Sequence, residues 1–200
     1  MSKILSLTEC APDSFPCYFF DANVWIALLR YNQTDKKEKR FVPYIDLFEA
    51  IINLNTITDP KIVKRIKYQP QIAVTSMLVS EIINAYLRNV AMPAFFPNSK
   101  PGEKNFKRDY RQFKYSDYDK QLKLIVDDIQ AYSFVYKLMC DKFDSLNSID
   151  MLNSLTRDID FNDLYYQQLM EVENVAIVTD DKDFSSCSVN VITANPKLLR

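Results

Sequence analysis

Four carboxylates, Asp21, Glu81, Asp163 and Asp181, each stand at or a few residues beyond the end of an apolar run, in a chain of 200 residues without a single histidine. Donors that are all oxygen suit a hard divalent cation. Mg2+ and Mn2+ prefer such ligands, keep several waters, and usually take one or two protein carboxylates apiece, so four acids serve one or two ions. Gathered without a cation, the same acids repel, and one or more must hold a proton because like charges raise each other's pKa. A bound ion removes that penalty. Facing a phosphodiester, it also lowers the pKa of a water and offsets charge growing in the transition state. Singly, each acid has a plainer structural reading: Asp21 as a cap of the next helix, Glu81 as a paired helix charge, Asp163 as a complement to a helix dipole, Asp181 as the start of a turn. Four in order on strand ends, with no competing catalytic residue type, favour the metal site.

Composition narrows the chemistry further. The missing histidines exclude Ser-His-Asp triads, Cys-His dyads and imidazole metal centres, and the single glycine, Gly102, excludes Walker-type and dinucleotide-binding loops. Cys10, Cys17, Cys140 and Cys187 are scattered without the CxxC spacing of a zinc site, which predicts free thiols in a reducing compartment. A net charge of −1 argues against coating nucleic acid by bulk charge, so any such binding must come from local patches. One patch is Lys36-Lys37-Glu38-Lys39-Arg40 together with Lys61, Lys64, Arg65 and Lys67; the other runs from Lys100 to Lys120. In the second, Lys107, Arg108, Arg111 and Lys114 interleave with Phe106, Tyr110, Phe113 and Tyr115. That pattern can grip phosphates and stack unpaired bases, and it equally describes a solvated segment with snorkelling stems. No window approaches the roughly 20 apolar residues that span a bilayer, so a soluble, cytoplasmic protein without membrane contact is expected.

The elements that must position the acids are legible from hydrophobic pattern. Cys17-Tyr18-Phe19-Phe20 reads as a strand ending at Asp21, followed by a helix over Val24 and Ile26 to Leu29. Ile72 to Thr75 reads as a second strand, leading into a helix whose inward candidates are Met77, Leu78, Glu81, Ile82, Ala85 and Tyr86. The spacing of Ile125, Ile129, Tyr132, Tyr136 and Met139 predicts one buried helical face between Lys120 and Cys140. Asp160 is placed to cap a helix running through Asp163 to about Met170, and Val175 to Thr179 and Val189 to Thr193 read as strands. A weak fifth strand signal lies near Leu146 to Ile149. Strands alternating with helices predict an α/β fold, a three-layer α/β/α sandwich around a parallel sheet of four to five strands, with its site beyond the carboxyl ends of the strands. One domain over residues 1–200 is the expectation, with about 93–155 as a helical insertion or lid. Thr179, Asn23 and Asn84 are candidates to support the acids, Asp183 is a fifth acid at the rim, and Asp180 should point away because strand side chains alternate.

Several segments together resemble the successive motifs of the PIN-domain ribonucleases. They are Phe20-Asp21-Ala22-Asn23-Val24-Trp25, Thr75 through Ser80-Glu81-Ile82, Asp160-Phe161-Asn162-Asp163-Leu164, and Ile177-Val178-Thr179-Asp180-Asp181-Lys182-Asp183-Phe184. The resemblance implies an Mg2+- or Mn2+-dependent endoribonuclease acting on RNA, its ions held by Asp21, Glu81, Asp163 and Asp181 with Asp183 as an auxiliary, and Thr179 at the family's hydroxyl position. It does not extend over Pro93 to about Leu155, and Asp180 stands where the family usually has a small or basic residue. The VapC-type toxins of this family are usually shorter than the present chain; that setting implies a homodimer silenced by a small antitoxin protein. The alternative of another class is a PIN-fold scaffold that binds RNA or a protein without cutting. A haloacid-dehalogenase-like phosphatase fits less well, because it wants a second Asp where Asn23 stands.

Overall fold

The computed structural model describes residues 3–34, 36–146, 148–156, 160–186 and 188–200. Its centre is β2 (Cys17–Phe20), four consecutive buried residues. An unbroken apolar run is what a parallel strand covered on both faces requires. Successive strand side chains point to opposite faces, and the two aromatic rings show which helices lie on each side. Phe20 packs on Phe48 with ring centroids 5.0 Å apart, whereas Phe19 packs on Tyr166 at 4.7 Å. Phe48 belongs to α2 (Val42–Thr56) and Tyr166 to α8 (Phe161–Glu173), so helices flank both faces and the three-layer sandwich is observed.

The sheet has six strands, all parallel, in the order β1-β6-β5-β2-β3-β4. The others are β1 (Ile4–Ser6), β3 (Gln71–Val74), β4 (Tyr136–Leu138), β5 (Ala176–Val178) and β6 (Val191–Thr193). From β2 the chain passes through α1 (Ala22–Thr34), α2 and the short α3 (Pro60–Val63) to β3. It then continues through α4 (Ser76–Tyr86), a π-helical turn at Leu87–Ala91, α5 (Met92–Phe95) and α6 (Tyr118–Ala131) to the edge strand β4. After α7 (Ser148–Asn153) and α8 it returns to the other side of β2 as β5. Strand order therefore reverses between β2 and β5. In open α/β sheets such a switch point is where a crevice opens beyond the carboxyl ends.

Two expectations about the sheet are corrected. It holds six strands rather than four or five, because β1 and β4 are three-residue edge strands whose sequences carry too few residues for a period. The helix expected from Lys120 to Cys140 ends at Ala131; Tyr136, Ala73's neighbour Ile72 and their successors pair instead, with Ile72 opposite Tyr136 and Val74 opposite Leu138. Ser133–Val135 form a 3-10 turn that ends the helical run, and extended backbone begins at Tyr136, where the edge of β3 is on offer. Near Leu146 to Ile149 the strand is not found: Ile149 lies in α7, and Asn147 lies outside the described residues. β4 falls within 93–155, so that region supplies a sheet strand as well as helices.

Caps follow the sequence. Thr75 accepts from Leu78 N at 3.0 Å to start α4, and Asp160 accepts from Asp163 N at 3.0 Å to start α8, each satisfying an otherwise free first-turn amide. Asn174 closes α8 in the left-handed conformation at φ 52°, which Asn tolerates better than most residues. Cys10, Cys17 and Cys140 are free thiols, while Cys187 lies outside the described residues. No helix among the described residues is long and apolar enough to cross a membrane.

Candidate metal centre

Asp21 follows β2 directly and Asp181 lies three residues beyond β5, on the two sides of the switch point. Asp21 is buried, and its backbone starts α1 by accepting from Val24 N at 3.0 Å and Trp25 N at 3.2 Å. Its carboxylate takes a backbone hydrogen bond from Ala22, the first residue of α1. It also accepts from Thr179 Oγ1 at 2.8 Å and from Asn23 Nδ2 at 3.3 Å. Thr179 Oγ1 also accepts from Asp181 N at 2.9 Å, so one fully buried hydroxyl ties the two acid-bearing strand ends together. Thr179 and Asn23 thus both touch the Asp21 carboxylate. Asn84 does not: it is exposed and donates to Ser80 O of its own helix at 2.8 Å.

Glu81 lies in the second turn of α4 and Asp163 in the first turn of α8. Tyr166, one turn after Asp163, donates its hydroxyl to Glu81 Oε2 at 2.9 Å, and Asn162 Nδ2 approaches the same oxygen at 3.5 Å. Those two partners were missed from the sequence. Tyr166 sits at the helical interval that faces it across the crevice, but its register toward α4 is a tertiary fact. Asp183 donates its backbone N–H to Asp181 Oδ1 at 3.1 Å, and its carboxylate stands 3.8 Å from Lys182 Nζ.

The electrostatics show that these acids face one another. Burial, with repulsion from Glu81 and Asp181, pushes Asp21 up to about 6 despite the help of Thr179. Asp163 is pushed up to about 8 by burial first, then by the charges of Asp160, Asp21, Asp181 and Glu81. Glu81 is raised as well, by burial against the lowering hydrogen bond from Tyr166, with Asp160 adding repulsion. Among the described residues no Lys or Arg forms an ion pair with Asp21, Glu81, Asp163 or Asp181. Nor, among the described residues, do three acidic or Cys side chains stand close enough to hold one ion as they lie. The carboxylates are within electrostatic reach of one another without forming a closed cage.

Asp180 points away from this cluster, as strand alternation predicts. It is buried on the far side of the strand end, where it accepts from Tyr44 Oη at 2.9 Å and pairs with Arg40. Tyr44 Oη in turn accepts from Ala194 N at 2.8 Å, and Asn195 Nδ2 donates to Asp180 O at 2.6 Å.

The basic, aromatic segment is elsewhere. Phe106–Arg111 forms a π-helical turn whose Tyr110 is buried against Phe95 at 5.7 Å and Tyr118 at 5.7 Å. Arg108 is paired with Asp109 at 2.6 Å, Arg111 lies 5.9 Å from the Tyr118 ring, and Lys114 lies 5.7 Å from the ring of the exposed Tyr115. Lys107 belongs to the same turn. Phe106 of the same turn also packs against Arg88, 4.6 Å from its guanidinium, just past the carboxyl end of α4. Lys107, Arg108, Arg111 and Lys114 therefore belong to a segment that packs beyond the carboxyl end of α4.

No protein-family model matches the chain, and no curated protein matches its sequence. Among solved structures the chain is similar to one in VapBC2 from Rickettsia felis bound to a DNA fragment from their promoter, at 14% identity and a TM-score of 0.45, covering 88% of this chain and 96% of that chain.

Proposed function

We propose that the protein is a metal-dependent endoribonuclease that hydrolyses RNA phosphodiester bonds, with Asp21, Glu81, Asp163 and Asp181 holding Mg2+ or Mn2+. The observation that carries the reading is the unneutralised acid cluster at the switch point. Asp163 is driven up to about 8 by burial and by four neighbouring acids, a cost that no cation among the described residues repays and a divalent cation would. The donors are all oxygen, which fits Mg2+ or Mn2+ and does not fit zinc.

When bound, such an ion supplies Lewis acidity, lowering the pKa of a water and offsetting charge on the phosphate. The chain's own residues prepare the site for it. Thr179 holds the Asp21 carboxylate in one orientation and fixes the backbone before the Asp181 side chain. Tyr166 and Asn162 aim Glu81 into the crevice from the side of α8. Asp163, raised to about 8 by burial and the neighbouring acids, would be among the residues that hold the ion. Asp183, tied through its backbone to Asp181, stands at the rim as an auxiliary acid. The resemblance of the motifs adds a setting to the proposal: the toxin half of a toxin–antitoxin pair, acting as a homodimer and silenced by a partner that covers the acids.

The test is cleavage of single-stranded RNA by purified protein in MgCl2 or MnCl2, against the Asp21→Asn variant and against EDTA. Cutting that needs both the ion and Asp21 supports the reading. RNA binding that ignores the ion and survives Asp21→Asn, without any cleavage, points to a non-catalytic scaffold instead.

A further inference from the structure

Beside the acid cluster lies a cleft of about 740 Å3 whose lining includes Asp181 and Asn23 on one side and Lys39, Arg40, Lys182 and Lys197 around the rest. Four cations meet there against two acids, Asp180 and Asp181, in a chain whose net charge is −1. Three separate parts of the chain supply them: the approach to α2, the turn after β5 and the turn after β6. Lys39 and Lys197 are exposed and, among the described residues, pair with no acid.

Arg40 is different, because its charge is held in place from below. Its guanidinium pairs with the buried Asp180 carboxylate, itself fixed by Tyr44. One carboxylate cannot occupy the five donors of a guanidinium. Two-thirds of the Arg40 side chain is exposed (66%), leaving the remaining donors toward the cleft. The Phe41 ring, which also lines the cleft, lies 5.4 Å from the Arg40 guanidinium and 6.0 Å from Tyr44, so one of its faces supports the cation. The charged lining of the cleft thus suits phosphate.

Resting on the nuclease reading above, we propose that this cleft binds the sugar-phosphate strand next to the bond that is cut. Arg40 takes a phosphate through its free donors, and Lys39 and Lys197 neutralise the flanking backbone. Asp180 is the positioning residue for Arg40; its chain neighbour Asp181 belongs to the metal cluster, which fixes the spacing between the gripped phosphate and the acids.

The experiment is fluorescence anisotropy of a short fluorescein-labelled oligouridylate in EDTA, which removes cleavage, over a series of KCl concentrations. The Lys39→Ala/Lys197→Ala double variant should bind roughly tenfold more weakly and lose about 1.4 from its log–log salt slope, at about 0.7 per phosphate contact on single strands. Arg40→Gln should lose about 0.7. Lys107→Ala/Lys114→Ala, on the segment packed beyond the carboxyl end of α4, should leave affinity and slope at the parent values. The double variants replace exposed lysines, so folding is preserved, and the MnCl2-induced rise in Tm reads the acid cluster independently. Unchanged oligouridylate binding in Lys39→Ala/Lys197→Ala, or an equal loss in Lys107→Ala/Lys114→Ala, overturns the subsite even when Mn2+ still stabilises the protein. Loss at Lys39 and Lys197 without any Mn2+ stabilisation of the parent keeps the subsite and overturns the nuclease reading.

Discussion

Replacing Asp163 by Asn should make the metal-free protein more stable, which inverts the usual consequence of altering a half-buried polar residue. The magnitude follows from the shift. Asp163 is moved from its ordinary 3.8 up to about 8, roughly four pH units at about 1.4 kcal/mol each, or about 5 to 6 kcal/mol as an upper limit. Solvent reaches part of the side chain, and halving the figure for screening leaves about 2 to 3 kcal/mol. The sign is that of a raised acid: between 3.8 and about 8 the folded state holds a proton that the unfolded state has lost, so folding stability falls as pH rises through that window and is lowest above about 8. Asn carries no charge to desolvate. The gain from Asp163→Asn should therefore be near zero at pH 4 and reach its full size at pH 8 and above, measured by urea unfolding in EDTA. In MgCl2 or MnCl2 the order should reverse, since the parent gains binding energy that the variant has lost. A variant that is less stable than the parent at pH 8 in EDTA, or a gain of the same size at pH 4 and pH 8, refutes the reasoning.

Mn2+ affinity should rise between pH 6 and 8, because Asp21 and Asp163 must surrender protons held with pKa values raised to about 6 and about 8; calorimetry at pH 7 in two buffers of different ionisation enthalpy should show proton release, and none would contradict the cluster. Thr179→Val keeps the shape but leaves Asp181 N without its acceptor and Asp21 without its hydroxyl donor, and should cost about 1 to 3 kcal/mol by urea unfolding. Tyr44→Phe should cost about as much, since Asp180 and Ala194 N both lose their partner; a change below about 0.5 kcal/mol would show that this buried network is not needed.

What the chain disclosed and what it concealed divide along the range of the signals. β2 was legible because Cys17-Tyr18-Phe19-Phe20 is unbroken and apolar, and the start of α8 because Asp160 caps it locally; both are decided within a few residues. The acids at strand ends were legible for the same reason, as breaks in apolar runs. β4 was not, because Tyr132, Tyr136 and Met139 continue a helical period and only pairing with β3 decides against it. Arg40 and Tyr44 as partners of Asp180, and Tyr166 as the partner of Glu81, join residues more than 80 positions apart, and no local pattern encodes such a register. The basic segment at Phe106–Arg111 drew attention through its composition, yet the cations beside the acids come singly from three turns, where composition gives no sign of them.

Crystals soaked in MnCl2 and measured for anomalous scattering of manganese test the central claim most directly. One or two peaks should lie among Asp21, Glu81, Asp163 and Asp181, with each direct carboxylate oxygen about 2.0 to 2.6 Å from the ion. Empty density among those four carboxylates at saturating Mn2+, or an ion held by other residues, would contradict it.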